Sequence, residues 1–363
     1  MDGPGRVGGG FFLSPQLLVW MRTPDDALPY AIAYLRLIFV AMPFVFGSAF
    51  LMMVLRGAGD SRTPMLFSLL AVAIDIALNP VLMFGWGPLP KMGIAGSAAA
   101  TVAANAIGMG AMLAHLYAKK HFLRLGREEL GYLRLDRVIL ASLLRKGLPM
   151  GMQMIVLASS GILMISLVNR YGSATTAAYG ATMQLWNYIQ MPAVAIGMAV
   201  SSMAAQNVGA GRWDRVGSVA RAGVICNCLM TGTLAIVIYL LDEQALGLFL
   251  NEPAAVAIGV HLNAIGVWSF LFFGVSMVLS GVVRATGSVL PPLAILAVAL
   301  LGLRVPFALA LRERWHEDAI WWSFPVGAFA SMVLSAAYYR FGGWRRARML
   351  ETPAAQPESS PAV

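Results

Sequence analysis

Asp75 is the only acidic residue placed well inside a long apolar run of this 363-residue chain. A carboxylate at membrane depth costs ~2.5–3.5 kcal/mol on insertion scales, so its presence points to a task such as taking up a proton or a cation. Asn79 stands four residues on and shares its helical face. Pro80 has no N–H to offer the carbonyl of Ile76, which frees that oxygen for a cation or a water. The competing reading is structural: a proton-bearing carboxyl hydrogen-bonded between helices. Further along, Gln153, Asn187 and Gln190 bring hydrogen-bonding groups into apolar runs. Asn187 and Gln190 lie three apart on one helical face, placed either to line a substrate cavity or to bond neighbouring helices.

A third constellation sits at a helix end. Arg56 and Asp60 have the spacing of an i,i+4 pair, with Arg62 just beyond. They could clamp a turn and hold a gate, or form a solvated turn with marginal ion pairs. Arg284 repeats Arg56 without the acid. Gly209 and Gly211 are turn residues; no Walker Lys-Ser/Thr follows them, so a phosphate loop is excluded. Cys226 and Cys228 are two apart in an apolar run and face different directions, and the four His are scattered without zinc spacing. Neither a metal nor another cofactor is expected, and no nucleophile–base cluster marks an enzyme.

The elements that position these residues are membrane helices. The chain is 59% hydrophobic and 12% charged, against about 25% charged in soluble proteins. Apolar runs long enough to cross ~30 Å of hydrocarbon recur throughout. An all-α polytopic membrane protein follows, with the lipid bilayer as its first partner. Nine spans are expected, near residues 27–55, 65–84, 94–118, 147–168, 174–203, 216–241, 255–283, 289–311 and 320–339. The net charge of +9 reads as basic cytoplasmic loops rather than a nucleic-acid surface. With the 119–146 segment inside, eighteen Lys and Arg lie on the cytoplasmic side and six on the other. That positive-inside bias places the C-terminus in the cytoplasm.

The chain uses one stretch twice. FGSAFLMMVLRGAGDSRTP (46–64) and FGVSMVLSGVVRATGSVLPP (273–292) align at a spacing of 228, matching Arg56 with Arg284, Gly59 with Gly287 and Pro64 with Pro292. The last three spans thus repeat the first three. The three spans before them have no earlier partner, so the chain reads as the last nine of twelve helices. The organisation is 1–118, an incomplete N-terminal bundle (the end of a third helix plus three spans); 119–146, a basic cytoplasmic linker; 147–340, a six-helix bundle; and 341–363, a disordered cytoplasmic tail.

LRGAGDSRTP (55–64), DIALNPVLMFG (75–85), MGIAGSAAAT (92–101) and AAQNVGAGRWDR (204–215) resemble the multidrug and toxic compound extrusion (MATE) transporters. The resemblance spans residues 13–340. It implies two six-helix bundles forming an inverted V around a central cavity, in the inner (plasma) membrane as a monomer. It also implies exchange of H⁺ or Na⁺ for small organic, often cationic, compounds. Asp75 and Asn79 fall where some members place an Asn and an Asp of a cation site, with the two types exchanged here. Thr101 falls where the family's sixth helix contributes a hydroxyl. Members that couple through the second bundle use acids that the 147–168 and 255–283 runs lack. Two alternatives stay open: a non-transporting truncated fragment, and a flippase of lipid-linked precursors. The flippase would need basic residues in its cavity, for which Arg36 and Arg304 are the candidates.

Overall fold

In the computed structural model, which describes residues 28–86, 91–121, 124 and 136–346, the duplicated stretch folds the same way twice. Gly59 has φ 95° and Gly287 has φ 91°, a region that glycine enters without steric cost. The Gly59 N–H donates to the Arg56 carbonyl at 3.1 Å, and the Gly287 N–H to the Arg284 carbonyl at 2.9 Å. Pro64 and Pro292 follow in the first turns of the next helices, and both are buried. All regular structure among the described residues is helical. Eight helices are long and apolar enough to cross a membrane, or nine when one bent pair counts as a single span. The protein is therefore a multi-pass helical membrane protein.

The chain divides into two compact units between Leu133 and Arg134. The first contains α1 (Leu28–Gly57), α2 (Arg62–Phe84) and α3 (Ile94–Ala118). Helix α3 packs along both α1 and α2, which barely touch each other. Its buried stripe is Gly96, Ala100, Ala104 and Gly108, one small residue every four. A Cβ at Gly96 would collide with the Leu82 backbone carbonyl, so α2 and α3 meet main chain to main chain. Leu55, Met112 and Leu116 close the α1–α3 contact. Leu66, Leu69 and Ile76 on α2 are each more than half exposed, which suits a surface bathed in lipid.

The second unit holds α4 (Arg137–Val168), α5 (Ser173–Gly209), α6 (Trp213–Leu240), the short α7 (Asp242–Gly247), α8 (Pro253–Gly266), α9 (Ser269–Ala285), α10 (Leu290–Ala297), a π-helical turn (Val298–Arg304), α11 (Val305–Trp315) and α12 (Asp318–Phe341). Helices α5 and α9 lie at its centre. The first contacts α6, α8 and α9, and α9 also contacts α6 and α12. Rings fill the core: Trp186 packs edge-on against Phe270 at 5.5 Å and Phe324 at 5.1 Å, and Tyr179 stacks on Trp321 at 6.1 Å.

Three sequence readings need correction, and a fourth gains detail. Helix α4 starts at Arg137, so the last ten residues of the 119–146 linker are helical. The cause is a cap: Asp136 Oδ1 accepts from the Val138 N–H at 2.7 Å and the Ile139 N–H at 3.3 Å. The 255–283 span is two helices, α8 and α9, bent by 45°; a Cβ at Gly266 would meet the Trp186 ring, so that ring sits against bare backbone at the bend. The expected 289–311 span is found as one span over Leu290–Trp315, and it carries the π-helical turn just before Pro306. Pro306 cannot donate to the Gly302 carbonyl, and the widened turn accommodates that lost bond. The tail expected to be disordered from 341 instead continues as a 3₁₀ turn over Gly343–Arg346. There Trp344 is buried, stacks on Tyr339 at 5.1 Å and donates Nε1–H to the Tyr339 carbonyl at 2.8 Å. Residues 11–21, most of 122–135 and everything after 346 lie outside the described residues.

Candidate functional site

The close α2–α3 contact sets the first unit's polar side chains opposite one another. The Thr101 hydroxyl lies 3.3 Å from Asp75 Oδ1 and 3.2 Å from the Ser97 carbonyl. It has one hydrogen, so it donates to one of these oxygens or is shared between them. Asn79 Nδ2 donates to Ser97 Oγ at 3.1 Å, and Asn105 Nδ2 donates to the Thr101 carbonyl at 2.9 Å. Asp75, Asn79 and Thr101 are thus brought together in one half-buried cluster. Ser97 links them, and Asn105 extends the line. Neither stood out in the sequence, although 97, 101 and 105 repeat every four residues and therefore share a face.

Asp75 also borders a cavity of about 170 Å³ between α1, α2 and α3, lined on its polar side by Ser48, Ser68 and Asn105. That is room for several waters with polar partners. An ionised carboxylate offers about four acceptor positions. Thr101 supplies at most one donor to Asp75, so the group retains acceptor capacity for a proton or a small cation.

At the α1–α2 turn, Asp60 serves as a cap. Its Oδ1 accepts from the Arg62 and Thr63 N–H groups, each at 3.0 Å. The Thr63 hydroxyl and N–H, then the Arg62 N–H and the charge of His121, hold its carboxyl below the usual carboxylate range. These contacts make Asp60 a cap on the α1–α2 turn, the turn role read beside the gate. Arg62 is exposed.

In the second unit, Asn187 and Gln190 line a cavity of about 360 Å³, together with Tyr179, Trp186, Phe270, Phe273, Phe324, Ser331 and Arg304. Gln153 does not line it. Its side chain is buried and accepts at Oε1 from Arg284 Nη1 at 3.1 Å. Arg284, read as a gate residue, therefore ties the end of α9 to α4. The cavity wall is braced from behind. Trp186 Nε1–H donates to Asn263 Oδ1 at 2.9 Å, and Asn263 Nδ2 donates to Asp242 Oδ2 at 3.1 Å. Asp242 falls between the expected spans 216–241 and 255–283, so this brace left no mark in the sequence.

The profile of the MatE family matches residues 9–81 and 149–310. The chain belongs to the MatE family. It is a membrane transporter rather than an enzyme. Among relatives, it is 39% identical over 334 residues to the probable multidrug resistance protein YoeA of Bacillus subtilis, covering 92% of this chain and 72% of that one. It is 34% identical to YpnP of the same organism, also a probable multidrug resistance protein, covering 95% and 76%. A crystal structure of MATE in the bent conformation superposes with a TM-score of 0.83 at 17% identity, covering 92% of this chain and 73% of the other. Such a likeness speaks to the shared MATE fold.

Proposed function

We propose that this protein exchanges H⁺ or Na⁺ for small organic compounds, often cationic, and exports them across the inner membrane with its C-terminus in the cytoplasm. Asp75 takes the coupling ion, with Asn79 and Thr101 beside it. The observation that carries this reading is the Asp75 carboxylate itself. It is half-buried in a span, served by one hydroxyl at 3.3 Å, and open to a small polar-sided cavity. Membership in MatE and the names of the Bacillus subtilis relatives favour an organic cargo.

Binding of the ion would neutralise the carboxylate and release Thr101 to the Ser97 carbonyl, changing the bonds between α2 and α3. Such a switch is the kind of differential contact that alternating access needs. The test is uptake of a fluorescent organic cation into everted vesicles under separate pH and Na⁺ gradients. The parent chain is expected to accumulate the dye under one gradient, and Asp75→Asn to lose that accumulation while inserting normally. Full gradient-driven uptake by the Asn variant would refute the assignment of Asp75.

A further inference from the structure

We propose that the cavity of the second unit binds aromatic organic acids, with Arg304 as the residue that receives the carboxylate. Among the described residues, Arg304 is the only charged one lining that cavity, and no acid faces it there. Its Nε is buried without a hydrogen-bond partner among the described residues. Buried charges in proteins are otherwise paired and hydrogen-bonded, so this guanidinium keeps one N–H donor unmet and no acid among the cavity's described lining residues to balance its charge.

Its neighbours fix the plane of the guanidinium. The Phe324 ring covers one face of the guanidinium, with Cζ 3.8 Å from the ring centroid. The aliphatic stem lies on Gly327, where an added Cβ would come within 3.0 Å of Arg304 Cβ and 3.2 Å of Cδ. A guanidinium stacked on a ring and held by its stem still presents its N–H groups in its own plane. That is the fork which fits a carboxylate with two parallel hydrogen bonds. Arg304 also closes the π-helical turn ahead of Pro306, an irregularity that recurs at functional positions.

The rest of the wall defines the body of the ligand. Tyr179, Trp186, Phe270 and Phe273 line much of a cavity of about 360 Å³, which suits a fused ring system. The 228-residue repeat carries Asp75 onto Leu303, so Arg304 stands one residue past the counterpart of the first unit's acid. The two units therefore present opposite charges at nearly the same station. This inference concerns a separate cavity and does not depend on ion coupling at Asp75.

The test is equilibrium binding to the full chain in lipid nanodiscs, comparing radiolabelled 2-naphthoate with neutral 2-naphthamide and cationic 2-naphthylmethylammonium. The acid is expected to bind saturably and about tenfold tighter than the amide, as a charge-assisted bidentate contact would give. Arg304→Gln should weaken the acid about tenfold and leave the amide within about twofold, with Arg304→Lys between the two. Equal binding of all three probes would overturn the proposal, as would absence of saturable acid binding by the folded parent. An equal loss of acid and amide in Arg304→Gln would also overturn it, since the arginine would then be shaping the cavity rather than reading charge.

Discussion

Two aspartates in the first unit show how far a single residue can be read. Asp75 announced itself, because an acid in an apolar run has few bland explanations. Asp60 left two roles open, an ion pair or a turn. Its spacing from Arg56 suggested an ion pair, yet its Oδ1 is occupied by the Arg62 and Thr63 N–H groups. A side chain beside a helix start meets unpaired N–H groups at a fixed distance, and sequence spacing alone does not weigh these against a flexible guanidinium. Asp60→Ala should therefore cost about 1 kcal/mol, the usual worth of a cap, read by thermal melting of the full chain in detergent. The folded carboxyl is held below its unfolded value. The cap's contribution is thus complete above the unfolded pKa and disappears as pH falls through the lower, folded one. The difference in melting between parent and Asp60→Ala should be full at neutral pH and shrink below about pH 4.

At the scale of the element, helix existence was legible and helix irregularity was not. Apolar runs fix where a chain can cross lipid. The 45° bend between α8 and α9, by contrast, depends on the Trp186 ring lying against Gly266, a residue 80 positions away. The early start of α4 was available in principle, as an Asp ahead of an apolar run, but three basic residues nearby read as linker. The α2–α3 pairing was hidden too. Nothing in MGIAGSAAAT says that Gly96 rests on the Leu82 carbonyl, yet that contact sets Thr101 opposite Asp75. Gly96→Val should force the helices apart at a cost of about 1–3 kcal/mol and reduce ion-driven uptake. Gly110→Val on the same helix meets open space and should leave both melting and uptake near the parent's values. Equal damage from both would show that valine itself, rather than the α2–α3 contact, is responsible.

For the whole molecule, the repeat was the most informative feature of the sequence. Its matched Arg, Gly and Pro fold into matched turns, down to a φ of 95° in one copy and 91° in the other. What the alignment hid is that the copies diverged in sign, with Asp75 in one and Arg304 in the other. That divergence has an electrical consequence. Trading one inbound proton for an outbound organic cation moves no net charge, so the membrane voltage does no work on the cycle. Trading the same proton for an outbound organic anion moves two positive charges inward, and an interior-negative potential of 100 mV then contributes about 4.6 kcal/mol per turnover. In proteoliposomes clamped with K⁺ and valinomycin, transport of 2-naphthoate should rise steeply with that voltage while transport of a monovalent organic cation stays flat. One protein would then run as a neutral exchanger or as a current source, according to the charge of what it carries.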